Sequence, residues 1–272
     1  MNNPATRPPL RSLDIPVPPE NIRYRVTSTP TDEAAFLQAG ECCASEILRS
    51  LDLAGIDAGG FRSILDFGCG CSRVLRYLRP QLAQASFHGF DVDEVAIEWS
   101  RKHIDGVRFD VVPHLPPTDC PRGSFDFIYG LSVFSHLDLP RQLLWLAELQ
   151  RILRPDGLLL LTIHGRVARD LVEGTITEQE KREFDATGFL FVSNIADNVL
   201  PDWYQTAIYR EDFARFVFGS RFDILRFEAK GMGGCQDVLV LRNRAVQALP
   251  GGLPPDLGEL ETFERGHLSA GR

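Results

Sequence analysis

Ile64-Leu65-Asp66-Phe67-Gly68-Cys69-Gly70-Cys71-Ser72-Arg73 decides how this 272-residue chain folds. An apolar run ends in an acid, passes through Gly-x-Gly and leads into residues at helical spacing. Glycines let the backbone turn tightly and approach a ligand with no Cβ in the way, and the start of a helix presents free N–H groups. At the edge of an open α/β sheet, a strand–turn–helix of this kind is where nucleotide-like ligands bind. Two common ligands do not fit the pattern. A dinucleotide site wants a third glycine at position 73, where Arg73 stands, and a P-loop wants G-K-[ST], which is absent. Asp66, two residues ahead of the first glycine, suits instead a ligand with a positive amino group and no phosphates. A lone G-x-G is equally compatible with an ordinary tight turn, so its neighbours must decide.

Outward from this loop, strands and helices alternate. Ser63–Phe67 reads as a strand, 72–78 as a helix stopped by Pro80, 87–91 as a strand and 93–103 as a helix. Val107–Val111 and Phe125–Gly130 are strands separated by a proline-rich loop over 114–123. Leu139, Leu143, Leu146, Leu149 and Leu153 share one face of a helix over 140–153, whose negative C-terminal end suits Arg151 and Arg154. After a turn at Arg154-Pro155-Asp156-Gly157, residues 158–163 are continuously apolar, as in a parallel strand covered on both faces. The alternation predicts an α/β fold: a doubly wound, mostly parallel sheet with helices on both faces. Upstream, Phe36, Gly40, Cys43, Ile47 and Leu51 recur at helical spacing. Residues 1–31 read as an N-terminal arm, extended over the proline-rich first 22. Beyond His164 the rhythm breaks, and 165–210 read as an insertion without a sixth strand. Two more strands follow at 222–228 and 237–241. The domain therefore spans 32–244, and the tail from 245 is loosely ordered.

Composition narrows the partners. Apolar residues make up 44 % and charged residues 24 %, as in ordinary globular proteins, and the net charge of −8 argues against a phosphate backbone as partner. No apolar run is long enough to span a membrane, and the N-terminus has no signal-peptide core. Six cysteines form no disulfide framework, and Cys69 and Cys71 make C-x-C without a second pair at zinc spacing. A cytoplasmic protein with reduced thiols and no metal is expected.

The stretch from Asp66 to Arg73 resembles motif I of the class I, Rossmann-like S-adenosylmethionine-dependent methyltransferases, D-x-G-C-G-x-G, with Ser72 where glycine is common. A small serine able to cap a helix is expected to preserve binding. The resemblance continues in order through Gly89-Phe90-Asp91-Val92-Asp93, Leu115-Pro116-Pro117, Ser124-Phe125-Asp126-Phe127-Ile128 and Leu149-Gln150-Arg151-Ile152-Leu153-Arg154-Pro155-Asp156-Gly157-Leu158. The last is similar to the family's R-x-L-x-P-G-G segment, with Asp156 where glycine is usual. Residues 60–164 carry the likeness strongly and the last two strands weakly. It implies seven strands, the last antiparallel and inserted beside the sixth. It also implies S-adenosyl-L-methionine as cofactor and S-adenosyl-L-homocysteine as product. Asp66, Gly68, Cys69, Gly70, Asp91, Val92 and Leu131 would bind them, with Asp91 on the ribose hydroxyls.

Methyl transfer from a sulfonium requires alignment and, for a hydroxyl or ammonium acceptor, removal of a proton. The segment Gly130-Leu131-Ser132-Val133-Phe134-Ser135-His136-Leu137 lacks the N-P-P-[YF] motif that would indicate amide or nucleobase nitrogens. His136 follows the fourth strand and His164 ends the next, so both are candidates for catalysis or acceptor contact. The plainer alternative for each is a hydrogen bond to a loop. Histidine ordinarily titrates near neutrality, which would leave His136 ready to take a proton. Trp203, Tyr204 and Tyr209 are expected either to line an acceptor pocket, with Tyr204 a catalytic candidate, or to pack the insertion onto the sheet. Tyr24 and Arg25 either reach the cofactor or belong to a solvated arm. Trp99 and Trp145 read as core, and His88 and His103 as structural or exposed. The expected acceptor is a small molecule or peptide methylated on O or N, with neither nucleic acid nor membrane as partner. Two alternatives stand: a cofactor-binding pseudoenzyme or partner subunit, and an NAD(P)-dependent oxidoreductase, against which Arg73 and the missing second Rossmann half count.

Overall fold

Alternating apolar side chains set the two faces of a central sheet. The computed structural model describes residues 9–27, 30–192 and 205–244. Five parallel strands, β1 (Ser63–Phe67), β2 (Ser86–Asp91), β3 (Val107–Val111), β4 (Phe125–Gly130) and β5 (Leu153–His164), stand in the order β3-β2-β1-β4-β5. Ile64, Phe127, Leu158 and Leu160 point to one face, where they pack with α2 (Glu33–Leu53), α3 (Leu75–Gln81) and α4 (Glu94–His103). Leu65, Ile128, Leu159 and Leu161 point to the other, against α5 (Leu139–Ile152) and α8 (Glu211–Gly219). This period of two splits every central strand between two cores. Trp99 and Trp145 are buried in them, as expected. Asp32, Asp93 and Asp138 cap α2, α4 and α5 by accepting from backbone N–H groups.

The sheet is completed by β9 (Gln236–Asn243), antiparallel to β5, and β8 (Phe222–Met232), antiparallel to β9. The last strand therefore lies between the fifth and its own predecessor, as the family likeness implies. The register aligns Asp66 with Gly89 and Tyr129, and His164 with Gln236. The carboxyl ends of β1, β2, β4 and β5 thus share one edge with the start of β9.

Three regions depart from expectation. The insertion contains α6 (Arg166–Leu171), α7 (Glu178–Thr187) and two antiparallel strands, β6 (Phe189–Val192) and β7 (Thr206–Tyr209), so the sheet has nine strands among the described residues. Strand β7 joins the sheet through one pair, His164 with Ile208, at the carboxyl end of β5. Val172, Ile176, Phe184, Leu190, Val192 and Ile208 give this region a small core of its own. Four-residue strands carry too few alternations to be read from sequence.

Pro80 does not stop its helix. It lies inside α3, where its missing N–H leaves the Arg76 carbonyl open. The Leu13 N–H donates to that carbonyl at 2.8 Å, while the Arg76 guanidinium donates to the Ile15 and Pro16 carbonyls. The N-terminal arm is therefore held along α3. It then forms α1 (Glu20–Thr27), in which Ile22 and Arg23 are buried. No described helix is long and apolar enough to cross a membrane.

Candidate active site

The loop after β1 is built by residues in left-handed backbone. Gly68 and Gly70 have φ of +77° and +50°. The Gly68 and Cys69 N–H groups both donate to the Phe90 carbonyl, so the loop is tied to the end of β2. Ser72 also has positive φ, at 62°, and Asp156 follows at 61°. The two departures from the family pattern thus fall where the backbone favours glycine. Ser72 does not cap α3 through its side chain; its hydroxyl hydrogen-bonds Ser100 at 3.0 Å.

Two acids lie under this loop. Asp91 accepts from the Gly70 N–H at 2.6 Å and the Asp93 N–H at 2.9 Å, which fixes its carboxylate at the end of β2. Asp66 is buried, and no described lysine or arginine forms an ion pair with it. Burial pushes its pKa up to about 7. The Tyr129 hydroxyl beside it pulls the other way without completing a well-aligned hydrogen bond, the Asp91 charge adds to the rise, and Arg73 offsets a small part. A buried carboxylate next to a glycine turn is a position that a cationic group would stabilise. These residues fit S-adenosylmethionine, whose ammonium Asp66 would meet. Val92 and Leu131 are partly buried apolar residues at the ends of β2 and β4, placed to wall such a ligand. Asp66, Gly68, Cys69, Gly70, Asp91, Val92 and Leu131 thus converge on one rim.

Helix α1 closes over that rim. Arg25 forms a bidentate ion pair with Asp93, and Val26 packs so closely that a Cβ on Gly70 would lie 2.7 Å from its Cγ2. The solvated-arm alternative for Arg25 is thereby replaced by a docked helix beside the Gly68–Gly70 loop.

The opposite rim joins residues far apart in sequence. Val133 follows β4 and lies against Gly68, since a Cβ there would fall 2.3 Å from its Cγ2. One turn on, the His136 N–H donates to the Val133 carbonyl. The His136 and His164 rings stand 5.6 Å apart at 89°. His136 Nδ1 lies 2.8 Å from the Gln205 carbonyl oxygen. Gln236 bridges the cluster, with its amide 3.1 Å from His164 Nε2 and within 3.1 Å of the Ser132 hydroxyl. Next to it, Asp237 packs where a side chain on Gly165 would collide.

Neither imidazole titrates near neutrality. Burial lowers His136 to about 4; the Gln205 carbonyl opposes this and neighbouring His164 adds to it. Burial lowers His164 to about 4 as well. Both rings are neutral at pH 7, which corrects the expectation of an ordinary histidine pKa. Tyr209 is likewise not a pocket residue: it is fully buried, and its hydroxyl donates to Gln142 in the core. Trp203 and Tyr204 lie outside the described residues. Ser132, Gln205 and Gln236 were not singled out as site residues from sequence. Their only signal is position, at the carboxyl edge, which emerges once β9 is paired with β5.

Residues 65–159 match a family model described as a methyltransferase domain. The chain is 25 % identical over 179 residues to the malonyl-[acyl-carrier protein] O-methyltransferase of Hahella chejuensis (strain KCTC 2396). That alignment covers 63 % of this chain and 60 % of the relative, so the chain spans under two thirds of that protein's length. Among solved structures, the PH0226 protein of Pyrococcus horikoshii OT3 matches with a TM-score of 0.57 at 16 % identity, over 81 % of this chain and 98 % of that one. A 1,6-didemethyltoxoflavin-N1-methyltransferase from Burkholderia thailandensis, with S-adenosylhomocysteine bound, matches with a TM-score of 0.55 at 14 % identity, covering 87 % and 95 %. A SAM-dependent methyltransferase from Methanosarcina mazei gives 0.51 at 19 %, covering 67 % and 92 %.

Proposed function

We propose that this chain, whose residues 65–159 match a methyltransferase-domain model and whose fold is shared with S-adenosylmethionine-dependent methyltransferases, transfers a methyl group to an oxygen or nitrogen atom of a small-molecule or peptide acceptor. The observation that supports this best is Asp66, a buried carboxylate with no ion pair among the described residues, next to the left-handed turn at Gly68 and Gly70. When bound, S-adenosylmethionine supplies a methyl on a sulfonium that is its own leaving group. The residues must then hold, orient and dry the site. Asp66 would take the ammonium. Asp91, fixed by two backbone N–H groups, would take the ribose hydroxyls. Val92, Leu131 and Val133 would exclude water from the apolar part of the ligand.

On the acceptor side, His136 and His164 are neutral and converge past β4 and β5. His136 would orient the acceptor and take its proton, and His164 would contact it. Tyr204 remains a third candidate from its neighbourhood to Gln205. The region over 165–210 would form the acceptor cap, a reading supported by β7 meeting β5 at His164. The name of the Hahella relative is consistent with an oxygen acceptor. The test is methyl-labelled cofactor incubated with the protein and a bacterial extract. Label should move into a small-molecule or peptide fraction; tight cofactor binding without transfer would instead make the chain a binding subunit.

A further inference from the structure

Resting on the methyltransferase reading, we propose that α1 is a latched lid over the rim proposed for the cofactor, and that the Arg25–Asp93 ion pair is the latch that must release before cofactor enters or leaves. The first ground is where α1 lies. Val26 packs on Gly70, its Cγ2 2.7 Å from where a Cβ of that glycine would stand. Arg25, one residue earlier, donates to both carboxylate oxygens of Asp93. Asp91 accepts from the N–H groups of both Gly70 and Asp93, so it lies between the two points on which α1 rests. Its charge acts on the Arg25 guanidinium together with that of Asp93. On the other side of the same turn, Val133 closes on Gly68. A valine methyl therefore fills the space beside each glycine, and a ligand lying along this turn needs one of the two covers to move.

The second ground is how differently the two covers are held. Val133 is tied down by backbone on both sides: the preceding Ser132 N–H donates to the Thr162 hydroxyl at 2.8 Å, and the Val133 carbonyl accepts from His136 at 3.0 Å. Helix α1 has few such ties. Of its eight residues only Ile22 and Arg23 are buried. The Arg23 guanidinium donates to the Pro18 carbonyl at 2.7 Å and to the Thr31 carbonyl at 3.0 Å, which fastens the two flanks of α1 to each other. The helix can thus lift as one piece, while the arm ahead of it stays on α3 through Leu13 and Arg76. The latch is a surface ion pair, with the Arg25 side chain 46 % exposed. A segment with few buried apolar contacts opens locally at low cost, and lids of this size move in microseconds to milliseconds. The latch is closed whether the rim beneath is empty or filled. Its loss should therefore ease opening in both states, speeding entry and exit together and leaving affinity nearly unchanged.

Two measurements on the full chain test this. In the first, amide hydrogen exchange is followed by mass spectrometry. Without ligand, the amides of α1 should exchange well ahead of those of α2, and faster still in Arg25→Ala, with α2 unchanged as the control for folding. S-adenosylhomocysteine should slow the α1 amides. In the second, a fluorescent S-adenosylhomocysteine analogue is mixed with the protein by stopped flow and then chased with unlabelled ligand. The association rate should level off at high ligand, where opening of the lid limits it. Arg25→Ala should raise both that plateau and the exit rate, by up to about fivefold as an exposed pair allows, and Arg25→Lys should fall between. Salt at about 0.5 M should speed the wild type in the same way and Arg25→Ala little, because screening removes the latch. Exchange of α1 as slow as that of α2 in the ligand-free protein, association that stays linear in ligand, or an exit rate unchanged by Arg25→Ala overturns the lid. Calorimetry separates the two levels: a wild type that does not bind S-adenosylhomocysteine overturns the methyltransferase reading and the lid with it, whereas binding without gating overturns the lid alone.

Discussion

The two rims of the cleft are built on opposite principles. The rim proposed for the cofactor is local: Asp66, Gly68, Cys69 and Gly70 are nearly consecutive, Asp91 ends the next strand and Val92 follows it. The rim proposed for the acceptor is assembled from Ser132, His136, His164, Gln205 and Gln236, which the pairing of β9 and β7 with β5 brings together. The rims also differ electrostatically. Folding raises the pKa of an acid on the first and lowers those of two bases on the second. A buried acid suits a cationic ligand, whereas buried neutral rings suit an uncharged one.

The largest effect expected is on the acceptor rim. His136→Ala should lower turnover with the extract acceptor by roughly 10²–10⁴-fold if the ring takes the proton, with S-adenosylhomocysteine affinity unchanged. A loss of cofactor affinity of the same size would show that the two rims are not separable. Next, Asp91→Ala should weaken S-adenosylhomocysteine binding by about 1–3 kcal/mol, as for loss of charged hydrogen bonds. Calorimetry showing unchanged affinity would move the ribose contact to Asp93.

The opposed pKa shifts sharpen the comparison through pH. An acid whose pKa is raised from 3.8 to about 7 stabilises the fold most when protonated, so its contribution is full below pH 3.8 and is lost as pH rises to about 7. The histidines behave oppositely. With folded values lowered from 6.5 to about 4, their contribution is full above pH 6.5 and is lost as pH falls through that window. Asp66→Asn should therefore melt above the wild type at pH 8 without ligand, and His164→Gln should be less acid-sensitive between those two values. Thermal melts across pH that move in one common direction would contradict the assignment. The smallest effect is expected for Arg25→Ala. Its ion pair with Asp93 is exposed, and such pairs contribute about 0–1 kcal/mol, so cofactor affinity should change by less than about fivefold. A larger loss by calorimetry would make α1 part of the cofactor site.

This contrast also explains what the sequence conveys. The parallel core is legible because β1 and β4 are short, mainly apolar runs and β3 alternates apolar with charged residues, and the ends of all three match the expected residues. The cofactor rim is legible for the same reason. Ser72 and Asp156 stand in the left-handed conformation their neighbours require, so the pattern survives two departures from glycine. Pro80 misleads because the bond it removes is replaced from 63 residues upstream, by Leu13. Gln236 carries no signal at all until the antiparallel pairing brings it opposite His164. The lowered histidine pKa values follow from burial, which a sequence window does not reveal.

The most direct test of the central claim is calorimetric titration of S-adenosylhomocysteine, with NAD as the comparison ligand, into wild type and Asp66→Asn at about pH 6 and about pH 8. Wild type should bind S-adenosylhomocysteine far better than NAD, and more tightly at the higher pH, where Asp66 is ionised and can meet the ligand's ammonium. Asp66→Asn should lose most of that affinity and its pH dependence. Preferential binding of NAD, or S-adenosylhomocysteine affinity that is the same in both proteins at both pH values, would contradict the assignment of this rim as the cofactor site.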